Sequence, residues 1–128
     1  MNEEQIAKIV VDAALKVHRQ LGPGLLESSY EACLAYELKQ RNLKVEPQKP
    51  LPLVYEEVKL EVGYRVDLMI ENKFVVEVKS VEALNDVHLA QILTYLKLSN
   101  CELGMLINFN VSLLKNGLKR VINKDFSK

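Results

Sequence analysis

Apolar residues recur at helical spacing through the first 21 positions, at Ile6, Ile9, Val10, Ala13, Val17 and Leu21, with Lys8, Lys16 and Arg19 off the stripe. The pattern predicts an amphipathic helix that stops before Gly22-Pro23-Gly24. A second helix is expected from about Leu25 to Arg41, with Glu27, Tyr30, Leu34 and Leu38 along one side. The period then breaks. Leu43 to Val54 alternates poorly and carries Pro47, Pro50 and Pro52, so it is confined to an edge strand or two short extended pieces. Val58, Leu60 and Val62 alternate with Lys59 and Glu61 after a turn at Tyr55-Glu56-Glu57. They are expected to pair with the start of the strands that follow, with Gly63 permitting a bend or bulge.

From Tyr64 to Ser80 the period is two on both sides of Glu71-Asn72-Lys73, which predicts a β-hairpin. One face, Tyr64, Val66, Leu68, Ile70, Phe74, Val76 and Val78, is expected to be wholly apolar, while Asp67, Glu77 and Lys79 interrupt the other. Register decides whether these charges meet, because a slip of one residue moves a side-chain set to the opposite face. A two-residue Asn72-Lys73 turn would separate Asp67 from Glu77. A three-residue loop from Glu71 to Lys73 puts Asp67 opposite Glu77, Met69 opposite Val75 and Arg65 opposite Lys79, with facing Cβ atoms about 5 Å apart. Asn-Lys lacks the glycine that two-residue hairpin turns favour, so the three-residue loop is expected.

Asn85 or Asp86 caps a third helix running to about Ser99, with Leu89, Leu93 and Leu96 on one side and His88, Gln91, Ile92 and Tyr95 on another. Leu103 to Phe109 is an apolar strand, and Leu118 to Ile122 is a last strand after a connection ending at Gly117. Hairpins give antiparallel pairs and an intervening helix makes a parallel crossover. An α/β fold follows, a mixed sheet flanked by helices, with two N-terminal helices, then strands, a helix and a strand.

Composition narrows the picture. With 128 residues and 48% hydrophobic content, the expectation is one domain over residues 1–128. The apolar runs are too short to span a bilayer, and Met1-Asn2-Glu3-Glu4-Gln5 has no basic leader character, so a cytoplasmic protein with no membrane partner is expected. Cys33 and Cys101 lie far apart without metal-ligand spacing and read as two buried apolar residues. A net charge of zero argues against non-specific attachment of the whole molecule to nucleic acid. The local exception is Lys115, Lys119, Arg120, Lys124 and Lys128 near the C-terminus, a solvated tail or a phosphate-contacting edge.

Two facing carboxylates repel unless a proton or a cation bridges them. Magnesium suits the task, because it takes oxygen ligands, keeps several waters, and is held by one or two carboxylates plus a substrate phosphate. Lys79 would neutralise phosphate charge or position water. The plainer alternative is an exposed Glu77–Lys79 ion pair. Glu27 has its own plain reading, a first-turn acid complementing the helix dipole, and His18 reads as a packed boundary histidine.

Asp67 followed by Glu77-Val78-Lys79 resembles the D…(D/E)-x-K signature of the PD-(D/E)XK nuclease superfamily, with Val66 where the superfamily name has proline. Leu21-Gly22-Pro23-Gly24-Leu25-Leu26-Glu27-Ser28-Ser29-Tyr30 is similar to the motif of the GxxExxY proteins, a branch of that superfamily whose named positions fall on Gly24, Glu27 and Tyr30. The likeness includes Val17-His18, His88, Gln91, Tyr95 and Gly104 to Phe109, and runs from about Ile6 to Val121.

The resemblance implies a restriction-endonuclease-like fold and a metal site of Asp67, Glu77 and Glu27 for Mg2+, with Mn2+ as a substitute. Lys79 is the implied catalytic cation, Gln91 and Tyr95 orient the site, and Tyr30 is expected to line the same cleft. The expected function is metal-dependent phosphodiester hydrolysis of nucleic acid, DNA or RNA left open. A silent module binding nucleic acid or protein on the same scaffold is the alternative, and an enzyme acting on a small phosphorylated molecule is a third. Homo-oligomerisation is left open.

Overall fold

Asn2 starts the first helix by accepting the Gln5 N–H at 2.8 Å while the Gln5 side chain accepts the Asn2 N–H at 2.9 Å, a reciprocal cap of a kind that contributes about 1 kcal/mol. The structure, a computed structural model, describes residues 1–127 apart from the side chain of Val62. Helix α1 (Glu3–Leu21) is followed by α2 (Glu27–Gln40), β1 (Val45–Tyr55), β2 (Val58–Ile70), β3 (Phe74–Lys79), α3 (Asp86–Ser99), β4 (Leu103–Asn108), a short 3-10 turn (Leu114–Gly117) and β5 (Leu118–Ile122). The five strands lie in the order β1-β2-β3-β4-β5. β3 and β4 run parallel across the α3 crossover, and the other neighbours are antiparallel. This is the mixed sheet the pattern predicts. No described helix is long and apolar enough to cross a membrane.

Two cores lie on the two faces of the sheet. Ile6, Val10, Val17, Tyr30, Leu34 and Leu38 of α1 and α2 pack with Leu68, Ile70, Phe74, Val76, Met105 and Phe109. Ile92, Tyr95 and Leu96 of α3 pack with Val66, Met69, Val75 and Leu106. Every residue of β4 is buried, as a strand covered by helices on both sides requires. Each fully buried Leu, Ile or Phe contributes about 1.5–3 kcal/mol. Arg41 ties the first two helices together, meeting Asp12 of α1 at 2.9 Å and Glu37 of α2 at 2.8 Å.

Several expectations change. β1 is the predicted edge strand, but it turns at Glu56-Glu57 and pairs with β2 from Tyr55↔Val58 onward. The Val58 segment is therefore continuous with the hairpin strand and does not pair with it. The register shifts between Leu51 and Leu53, opposite the stretch containing Gly63, where the bulge was expected. Val66 packs with the α3 side and Leu68, two residues on, with the α1/α2 side, so the apolar face is not continuous. The opposing strand carries Gln48 with φ 53° between the partners of those two residues. On α3 the buried stripe is Ile92, Tyr95 and Leu96, with Leu89 beside it, and Leu93 lies outside the cluster. Cys101 is buried but Cys33 is exposed, because position 33 lies off the Tyr30, Leu34, Leu38 stripe.

The Gly-Pro-Gly loop has φ 68° at Gly22 and φ 99° at Gly24, conformations that glycine tolerates. Tyr30 closes it. Its hydroxyl donates to the Gly22 carbonyl at 2.5 Å and accepts the Leu25 N–H at 3.1 Å, while its buried ring stacks on Phe109 at 4.5 Å. Tyr30 thus serves the loop and the core and lines no cleft: the ring is drawn inward by the same stripe that buries Leu34. Tyr30→Phe should lower unfolding free energy by about 1–3 kcal/mol through the lost bridge, and Tyr30→Ala by roughly 3–5. Denaturant titration reads both, and an unchanged midpoint for Tyr30→Phe would mean the hydroxyl does not hold the loop.

Candidate active site

The three-residue turn sets the hairpin register. Glu71 and Asn72 take φ 54° and 56°, Lys73 N–H donates to the Ile70 carbonyl at 3.0 Å, and Met69 pairs with Val75. Paired positions end at Leu68↔Val76, and past that point side chains take over from the ladder. Asp67 N–H donates to Glu77 Oε2 and Val78 N–H donates to Asp67 Oδ2, each at 2.8 Å. Each carboxylate fills the gap left by the other strand, so the two are locked face to face in the split between β2 and β3.

Burial makes that lock costly for charge. Glu77 is only 3% exposed, and burial first, then the negative charge of Asp67, push its carboxyl up to about 8, against the Asp67 N–H and Lys79. Asp67 is also raised, by burial, with the Val78 N–H and Lys79 opposing. The plainer alternative, a Glu77–Lys79 ion pair, is not among those the described residues form. Lys79 Nζ instead donates to Gln91 Oε1 of α3 at 3.2 Å. Tyr95, buried in the same helix, has its hydroxyl raised by burial and by the charges of Glu77 and Asp67.

Glu27 takes a different post. It is exposed and accepts the Ser80 N–H at 3.2 Å, while Ser80 Oγ donates to the Leu25 carbonyl at 2.6 Å. It does not cap its own helix, whose N-cap is Leu26 without a side-chain bond. Among the described residues, no three His, Cys, Asp or Glu side chains converge as a metal cluster, and the Glu27 carboxylate bonds to Ser80 while Asp67 and Glu77 each bond the other's strand. The helix-start loop is clipped to the segment just after Lys79, and that is where its carboxylate is used. His88 closes the cap of α3, its N–H donating to Asn85 Oδ1 at 3.0 Å and its ring accepting the Asn85 N–H at 3.2 Å. His18 is buried, with Nε2 2.8 Å from the Val111 carbonyl.

Three further side chains were not singled out from sequence. Glu31, one turn beyond Glu27, shares the Gln48 amide with Asp67, and burial followed by the Asp67 charge raises its carboxyl against the Gln48 hydrogen bond. Its i, i+4 relation to Glu27 was a usable signal. Gln48 donates to Glu31 Oε1 at 2.8 Å and lies 3.4 Å from Asp67 Oδ1, and nothing in the edge-strand sequence points to it. Asn108, buried at the end of β4, accepts the Val81 N–H at 3.1 Å and donates to the Val81 carbonyl at 3.0 Å, fixing the chain beyond Lys79. The basic C-terminal segment is partly spent: Arg120 holds Glu4 through two bonds of 2.6 and 3.0 Å, and Lys128 lies outside the described residues.

The donor set suits a hard divalent cation, since it offers two carboxylates of one buried pair and oxygen atoms only. Without metal, a carboxyl raised from 4.5 to about 8 is protonated more readily in the folded state than in the unfolded chain. Its contribution is fully present below about 4.5 and lost as pH rises through about 8. Metal-free protein should therefore lose thermal stability across that window, Glu77→Gln should flatten the slope, and magnesium should restore stability at the alkaline end. Melting curves at several pH values with EDTA and with magnesium read this, and an unchanged slope in Glu77→Gln would remove Glu77 as its source.

A family model described as the PD-(D/E)XK nuclease superfamily matches residues 4–121. Searches of curated proteins and of solved structures return no match. The matched span takes in all of α1 but its first residue, the other two helices, four strands, most of the fifth and the carboxylate pair, and the chain belongs to the PD-(D/E)XK nuclease superfamily.

Proposed function

We propose that this protein hydrolyses phosphodiester bonds of nucleic acid with magnesium held by Asp67 and Glu77. The observation that carries the reading is the interlocked pair itself: two carboxylates buried against their own repulsion, with a lysine two residues along the strand that no ion pair among the described residues takes. A bound magnesium would supply Lewis-acid stabilisation of phosphate charge and a more acidic water. The chain's own part is positional. Backbone N–H groups hold one oxygen of each carboxylate, Gln91 steers the Lys79 ammonium, and Tyr95 closes the inner side and excludes water. Glu27, Ser80 and Asn108 fix the backbone beyond Lys79, so the ammonium can meet the phosphate or the attacking water without reorganising.

The competing reading, a silent module binding nucleic acid or protein on this scaffold, draws support from the net charge of zero. One experiment separates the two. Purified protein is incubated with labelled single- and double-stranded DNA and RNA in magnesium, manganese or EDTA. Metal-dependent cleavage, abolished in Glu77→Gln, is the expected result, and binding without cleavage in every arm would favour the module. Lys79→Met should keep metal binding, followed by calorimetry, while cleaving on the order of 10²-fold more slowly. Cleavage by Lys79→Met at the parent rate would leave the lysine no part in the chemistry.

A further inference from the structure

β2 continues well past the split, and its residue Tyr64 stands on the α3 side of the site. Tyr64 is 42% exposed, and its ring lies 6.0 Å from the Tyr95 ring at a 48° tilt, so Tyr95 does not cover its face. Val87, in the first turn of α3, is 74% exposed beside it. Between the strand and the helix is an open cavity of about 240 Å³ lined by Tyr64, Val87, Ala90, Gln91, Thr94 and Tyr95. It is smaller than the roughly 300–1,000 Å³ of a site for a drug-sized ligand, and it suits one planar ring. Two aromatic walls, two aliphatic residues and two polar side chains make a lining that takes a flat heteroaromatic group and reaches its polar edge.

We infer that this cavity is a shelf for one unpaired nucleobase, stacked on Tyr64, of the strand whose phosphate meets Lys79. The inference rests on the proposed function and adds the substrate class: a single strand or a frayed end. Gln91 links the two parts, since it lines the cavity and accepts the Lys79 hydrogen bond. Charge points the same way. Duplex binding draws on phosphate neutralisation by many Lys and Arg side chains, and this chain has 17 basic residues offset by 17 acidic ones. Base–aromatic stacking tolerates any sequence and adds affinity beyond the phosphate contacts, but the base must first be free of its partner. A base inside a duplex cannot reach Tyr64, whereas one in a single strand can.

The test uses 12-residue single strands of DNA and of RNA with one 2-aminopurine, and the matching duplexes, titrated in EDTA so that binding is read without cleavage. Anisotropy gives affinity, and quenching of 2-aminopurine reports stacking. The parent should prefer single strands and quench the probe. Tyr64→Ala should bind them roughly 5- to 150-fold more weakly and lose the quenching, while Tyr64→Phe keeps both. Tyr55→Ala, at a residue 70% exposed near the tip of the β1–β2 hairpin, should change neither, and circular dichroism checks that each variant is folded. Equal single-strand affinity and quenching in parent and Tyr64→Ala would overturn the shelf, even if the parent cleaves with metal, and the proposed hydrolysis would then stand without it. Tyr64-dependent binding with no cleavage under any metal would uphold the shelf and remove the hydrolysis. Failure to bind any of the oligonucleotides would overturn the shelf, and the proposed hydrolysis would then rest on the cleavage assay in magnesium and manganese alone.

Discussion

A buried carboxylate next to another carboxylate is the constraint around which this fold is arranged. Glu77 sits in the sheet interior, where an unpaired charge is costly, and its nearest ionisable neighbour on β2, Asp67, makes matters worse. The cost is contained by opening the β2–β3 ladder at that level and letting each carboxylate accept a backbone N–H from the opposite strand. The strands thereby exchange two ladder bonds for two charge-assisted ones, and a pair of oxygen donors is held without mobile side chains. Protons and cations compete for that pair, and the raised carboxyls of Glu77, Asp67 and Glu31 express the same conflict from three directions.

The rest of the chain keeps the split in place. α1 and α2 fill one face of the sheet, and the loop between them, closed by the Tyr30 hydroxyl, is clipped through Glu27 and Leu25 to Ser80. Asn108 holds Val81, and the Lys79 carbonyl accepts the Phe109 N–H at 3.0 Å. Lys79 is thus bracketed on the following residues by two separate elements while its side chain is steered by α3. Gly104 is part of the same packing: a Cβ there would meet the Val75 carbonyl oxygen at 2.7 Å and crowd Leu96 and Ile92, so the central parallel pair and α3 approach as closely as they do only because that position has no side chain.

What the sequence determined by itself was whatever depends on periodicity and on the stiffness of particular residues. Helical spacing defined both N-terminal helices, prolines sent β1 to the edge, and the lack of a hairpin glycine at Asn72-Lys73 argued for the three-residue turn that brings Asp67 and Glu77 together. Those signals are local, and the parity of a strand carries them to the site. Tertiary structure decided the roles of side chains whose partners are distant. Glu27 shares a helix side with Tyr30, yet its carboxylate ends on a backbone N–H 53 residues away. Glu31 and Gln48 join Asp67 only because α2 crosses the edge strand where Gln48 adopts a positive φ. The apolar face of β2 switches sides between Val66 and Leu68, which the period of the strand does not foretell. Spacing along one element says which side chains travel together, but which groups they meet is set by how the helices lie across the sheet, and that depends on packing summed over the whole core.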